Sequence, residues 1–312
     1  MIPSPPTLPG TFAEALTVPS SGAIDIRAYR VRAAPFAGPA LIWAHANGFN
    51  AGCYLPLLHR LAGQFQVYAY DARGHGASAK PRGNMEHDYA MLRFAEDLSA
   101  VTAHVLDRIG PAAPLHFASH SLGGLAAVLL EAELDEAPFD SLTLFEPPIY
   151  PPDGHGERAA ALAHSPAFVR WAAGRRNDFP DHEALRAEVE TIITYRRFAD
   201  DMMAAYMTAA VEPGPGGGLT LRCPGAIEAA IYANCPDSGI FEQTARVATR
   251  TRIFATDQTV LPDLHSWAPG TMIAIAANMP RAEARTMPGC LHLMAQEDPD
   301  ACATAIIDHA LG

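Results

Sequence analysis

Apolar and polar positions follow two rhythms along the first half of the chain. Short apolar runs at Pro39–His45, Phe65–Tyr70, Pro114–Ser119 and Ser141–Phe145 have the length and content of buried strands. Between them, Tyr54–Ala62, Tyr89–Ile109 and Leu122–Leu134 carry apolar residues at helical spacing. Strand and helix in regular alternation predict crossover units, and so a mostly parallel sheet with helices on both faces. Ahead of these, Thr11–Val31 can hold an antiparallel hairpin about the turn residues Pro19-Ser-Ser-Gly22.

The rhythm breaks at Pro147-Pro148-Ile-Tyr-Pro151-Pro152-Asp-Gly154. From there to Arg246 the pattern is helical but irregular, with a loop at Pro213-Gly-Pro-Gly-Gly-Gly218. Strand-like runs return at Arg252–Ala255 and Ala282–Thr286, with a helix predicted over Leu261–Ala277 between them and another over Ala301–Leu311. One sheet interrupted by an insertion accounts for this order: a core of residues 1–146 and 247–312, with 147–246 as a separate helical unit.

Composition narrows the function classes. Of 312 residues, 49% are apolar and 18% charged, which suffices for a large core and excludes a disordered chain. Lys and Arg number 22 against 34 Asp and Glu, a net charge of −12, so a nucleic acid is not an expected partner. The five cysteines are scattered and show no zinc-like or Cys-x-x-Cys spacing, and read as buried free thiols. The first ten residues lack the basic start and apolar run of a signal peptide. No stretch approaches the roughly 20 apolar residues of a membrane span. A soluble, cytoplasmic protein is expected; its oligomeric state is not readable.

Candidate chemistry sits where a strand turns into a helix. Ser119-His-Ser-Leu-Gly123 follows the run Pro114–Ser119 and opens Leu122–Leu134, which is the setting of a nucleophile elbow. That turn is tight, so positions two before and two after the central serine must be small. Ser119 stands where the elbow usually has its first glycine.

On these residues the chain resembles the α/β-hydrolase family. His45-Ala-Asn-Gly-Phe49 resembles the family's oxyanion loop, and Asp71-Ala-Arg-Gly-His-Gly-Ala-Ser78 its turn after the next strand. Pro288-Gly-Cys-Leu-His292 through Glu297-Asp-Pro299 resembles its C-terminal histidine segment. All three lie in the family's order around Ser121. The resemblance implies an α/β-hydrolase fold, a doubly wound and mostly parallel sheet, with 147–246 as a helical cap inserted after the strand ending at Glu146.

It also implies roles. Serine is a weak nucleophile and needs a base, which by position is His292. The oxyanion donors are the N–H of Leu122 and that of Asn47. His120 is expected to point away from the nucleophile, and Arg73 and His75 to be structural. Two strand-end carboxylates can orient His292: Glu146, 25 residues after Ser121, and Asp257, at the end of Arg252-Ile-Phe-Ala-Thr-Asp257. Asp257 occupies the family's common position but lacks its usual Gly-x-x-Asp, and Glu146 is favoured. No metal or organic cofactor is implied. The expected activity is hydrolysis of a small, apolar to moderately polar carboxylic ester or lactone through an acyl-enzyme. Carbon–carbon bond hydrolysis, acyl transfer and non-catalytic small-molecule recognition stand as alternatives. In the insertion, aromatic and Met residues from Phe168 to Met207 are expected to pack the cap and partly to wall the cleft, and the pairs Arg175-Arg176 and Arg196-Arg197 to be solvated.

Overall fold

A computed structural model of the chain describes residues 11–32, 38–134, 137–214, 216–236, 239–261 and 270–312. The chain opens on the hairpin β1 (Glu14–Ser20) and β2 (Ile24–Arg30), where Leu16, Val18, Ile26 and Ala28 alternate inward. Then come β3 (Ala40–Ala44), α1 (Leu55–Leu61), β4 (Gln66–Tyr70), α2 (Met91–Ile109), β5 (Leu115–His120), α3 (Leu122–Glu133) and β6 (Ser141–Phe145). Strands β3, β5 and β6 are buried at every residue, because helices cover both faces of a parallel sheet. Helix α2 shows the complementary pattern, burying Met91, Phe94, Leu98, Val101 and Val105 at three- and four-residue intervals.

The insertion contains α4 (Ser165–Ala173), β7 (Asp178–Phe179), α5 (His182–Val189), α6 (Asp200–Ala209), β8 (Val211–Pro213), β9 (Leu219–Leu221) and α7 (Gly225–Asn234). Its three strands form a small antiparallel sheet ordered β7-β9-β8, which the helical reading of this stretch did not anticipate. The strands are two or three residues long, too short to leave an alternating pattern. The main sheet resumes with β10 (Thr251–Ala255), α8 (Thr271–Asn278) and β11 (Ala282–Thr286), and α9 (Pro299–Leu311) ends the chain. Of the expected helix over Leu261–Ala277, the structure shows Thr271–Asn278, while residues 262–269 lie outside the described residues.

The eight-stranded sheet has the order β1-β2-β4-β3-β5-β6-β10-β11, antiparallel at β1, β2 and β4 and parallel from β4 onward. Successive strands run outward in opposite directions from β3. The loops leaving β3 and β5 therefore flank one crevice at the carboxyl ends of the strands. Strand β10 returns beside β6, so the residues that follow these two strands are neighbours despite about 100 intervening positions. Among the described residues no helix is long and apolar enough to cross a membrane.

Candidate active site

Ser121 stands between β5 and α3 at φ 51° and ψ −113°, a backbone that L-residues rarely adopt. Two bonds hold it there: its N–H donates to the Phe145 carbonyl at 2.8 Å, and its carbonyl accepts from Gly124 N–H at 2.9 Å. The demand for small neighbours is visible at Gly123. A β-carbon on Gly123 would lie 2.5 Å from Ala44 Cβ and 2.9 Å from Ser119 Cβ, so α3 could not sit this close to β3 and β5.

Glu146 follows β6 with its own positive φ of 47°. Its carboxylate is buried and bridges two segments distant in sequence. Oε2 lies 2.6 Å from His292 Nδ1, and Oε1 accepts from Thr256 N–H at 2.9 Å and from the Thr256 hydroxyl at 2.5 Å. Three charge-assisted contacts leave this side chain little freedom. Asp257, one residue beyond Thr256, faces the other way. It accepts from Thr259 N–H and hydroxyl at 3.0 and 2.7 Å and from Gly289 N–H at 2.9 Å, staples its own loop, and does not reach His292. The Gly289 N–H, with Thr259, holds its carboxyl below the usual range.

Across the crevice the loop after β3 is cross-braced by three buried neutral histidines. His45 Nδ1–H donates to the Ala46 carbonyl and its Nε2 accepts from Ala72 N–H, each at 2.8 Å. His75 Nδ1–H donates to the Arg73 carbonyl at 2.9 Å and its Nε2 accepts from Gly48 N–H at 3.1 Å. Burial pushes both imidazoles below their ordinary pKa, His75 further, because His45 stands beside it. Arg73 is committed to a buried two-point pair with Asp97 at 2.7 and 2.8 Å, in keeping with its expected structural part. The main-chain N–H groups of Asn47 and Leu122 have no protein acceptor among the described residues; for Leu122 this follows from its place in the first turn of α3. The Asn47 side chain is occupied elsewhere, donating to the Glu228 carbonyl at 3.0 Å.

His120 is the third of these histidines. It points away from the cleft, as expected, but it is not idle. Tyr54 Oη accepts from Ala46 N–H at 3.2 Å and donates to His120 Nδ1 at 2.8 Å, while His120 Nε2–H donates to the His292 carbonyl at 2.8 Å. A continuous relay of hydrogen bonds thus joins the loop after β3, the residue before Ser121 and the main chain of His292. Burial, then the nearby His292, keeps His120 well below the ordinary imidazole pKa, which suits a neutral strut.

Ser121, His292 and Asn47 share a cleft of about 370 Å³. The core contributes Ala46, Phe49 and Leu293, and the insertion contributes Pro148, Phe168, Trp171, Ile192, Tyr195, Glu228 and Tyr232. Of the insertion's expected aromatic and Met residues, Phe168, Trp171 and Tyr195 face the cleft, whereas Phe179, Phe198, Met202, Tyr206 and Met207 pack inside the protein. Arg176 and Arg196 are exposed as expected. Arg175 is not, and this corrects the reading of it as solvated. Its side chain is 10% exposed, forms an ion pair with buried Glu228, donates to Tyr206 Oη at 3.2 Å and lies 5.1 Å over the Trp171 ring. Thr256, Tyr54, His120, Arg175 and Glu228 were all missed as site residues, since each acts through a partner more than 50 positions away. Among the described residues, no group of three or more His, Cys, Asp or Glu could hold a metal ion.

Comparison with known proteins matches residues 41–305 to the alpha/beta hydrolase family. Among curated relatives, 3-oxoadipate enol-lactonase 1 of Acinetobacter baylyi is 29% identical over 130 residues, 41% of this chain and 45% of that one. A 2-(acetamidomethylene)succinate hydrolase of Mesorhizobium japonicum is 41% identical over 54 residues, 17% of this chain and 19% of that one. The matched stretches thus span less than half the length of these relatives. Solved structures are similar over nearly the whole chain. The E-2-(acetamidomethylene)succinate hydrolase superposes with a TM-score of 0.75 at 20% identity, covering 96% of this chain and 99% of that one. The enol-lactonase from Burkholderia xenovorans superposes at 0.64 and 16% identity, covering 94% and 99%. At these identities the likeness is one of fold.

Proposed function

Because the chain belongs to the alpha/beta hydrolase family, we propose that it is a serine hydrolase that cleaves a small carboxylic ester or lactone through an acyl-enzyme. Ser121 Oγ attacks the carbonyl carbon and His292 takes its proton. Glu146 orients His292 through Nδ1 and stabilises the imidazolium. The unpaired N–H groups of Leu122 and Asn47 receive the oxyanion. His292 then returns the proton to the leaving alkoxide, and water, deprotonated by the same base, releases the acid. The observation that carries this reading is the 2.6 Å contact of His292 Nδ1 with a buried carboxylate, beside a serine held at positive φ. The name of one curated relative, an enol-lactonase, supports lactone cleavage, and that of the other supports hydrolysis. Residues 147–246 serve as a lid whose apolar inner wall selects the substrate.

A fluorophosphonate should label Ser121, and the protein should turn over p-nitrophenyl esters, with both losses complete to within background in Ser121→Ala. Labelling with cleavage of a diketone but of no ester would replace the ester by a carbon–carbon bond. Neither labelling nor turnover in folded protein would leave a small-molecule receptor.

A further inference from the structure

The one carboxylate among the described residues that line the cleft is Glu228, and no Lys or Arg lines it. Glu228 is 2% exposed, and its two oxygens differ. Oε2 is paired with Arg175. Oε1 accepts no hydrogen bond among the described residues and lies against the loop after β3. A β-carbon on Gly48 would come within 2.7 Å of it, and Gly48 neighbours Asn47. Glu228 lines the cleft, so an oxygen of its carboxylate that receives no protein donor is available to a donor on the ligand. Arg175 cannot serve an anionic ligand, because its guanidinium is turned to Glu228, Tyr206 and the face of Trp171. Burial opposes the Arg175 charge, but Glu228 beside it prevails and keeps it well above the usual arginine pKa.

We propose that Glu228 is the specificity residue of this cleft, taking through Oε1 a hydroxyl, amide N–H or ammonium donor on the substrate and excluding substrates whose corresponding end is a carboxylate. The substrate class is thus a donor-bearing, non-anionic ester or lactone with an apolar body. The cleavage named here rests on the acyl-transfer reading; the charge selection does not. Like charges brought together in a dry site are strongly disfavoured, whereas a donor to a buried carboxylate forms a charge-assisted bond.

The test is a set of p-nitrophenyl esters of one acyl chain length ending in methyl, hydroxyl, ammonium or carboxylate. The hydroxyl and ammonium esters should exceed the carboxylate ester in kcat/KM by about tenfold or more. Glu228→Gln leaves Arg175 without its counter-charge and should reverse the order of the ammonium and carboxylate esters. If that variant does not fold, Arg175→Met/Glu228→Met removes both charges, a change buried pairs tolerate better than loss of one partner, and should bring the ratio to about one. A carboxylate preference or equal rates in the wild-type protein, or a ratio preserved in the double variant, would overturn the proposal. Calorimetric binding of the corresponding uncleavable phenyl ketones to Ser121→Ala separates the two readings. The same ranking without turnover of any ester by the wild-type protein refutes acyl transfer and leaves Glu228 its role. Turnover with the carboxylate favoured refutes the role of Glu228 alone.

Discussion

The ends of β6 and β10 lie side by side in the sheet, and each is followed within two residues by a carboxylate. Glu146 is enclosed, shares its oxygens between Thr256 and His292, and spans the sheet. Asp257 lies at the surface and binds only groups of its own loop and of the Gly289 turn. The difference is not in the residue type but in what each strand end faces. The positive φ of Glu146 turns its side chain back across β10, whose own chain end supplies the Thr256 donors. A carboxylate can then serve as an orienting acid only at the strand end that His292 overhangs.

The contrast can be broken experimentally. Glu146→Gln should lower kcat for an activated ester by about 10²–10⁴-fold, the scale on which triad acids act, while Asp257→Asn stays within about threefold. The reverse ranking in steady-state kinetics would move the acid to β10. Thr256→Val sharpens the comparison, because it removes the hydroxyl but keeps the main-chain donor to Glu146. A loss of about tenfold in kcat with KM little changed is expected, with about 1–2 kcal/mol of stability by denaturant titration. The smallest effect belongs to the stability of Asp257→Asn. Since the folded protein holds this carboxyl below its unfolded value of 3.8, its contribution is present above that pH and is lost as pH falls through the folded value. The variant should melt slightly lower than wild type at pH 7, and the gap should narrow as pH falls below about 4.

What was legible in the chain followed from short-range constraint. The elbow at Ser121 is set by Gly123 and the strand-to-helix turn, and the mostly parallel sheet by alternation of buried runs with amphipathic helices. The pairing of Glu146 with His292, 146 positions apart, was favoured on strand-end position and on the missing Gly-x-x-Asp at Asp257, because β6 and β10 are neighbours only in the folded sheet. Thr256 left no trace, since one threonine after a strand resembles any other. Arg175 sat in a double-arginine stretch of the sort that usually meets water, and its partner Glu228 lies 53 residues on, in a helix whose apolar positions run almost all round. The small sheet of the insertion was likewise invisible, as its strands are too short to carry a period.

Two asparagine side chains of the loop after β3 reach into the insertion: Asn47 donates to the Glu228 carbonyl in α7, and Asn50 donates to the Ala209 carbonyl at the end of α6 at 2.7 Å. The same loop bears the main-chain donor assigned to the oxyanion. If substrate entered by a lifting of both helices, these two bonds would have to break first, and with them the placement of the loop proposed to stabilise the transition state. Under the proposed mechanism the site would be least reactive while open.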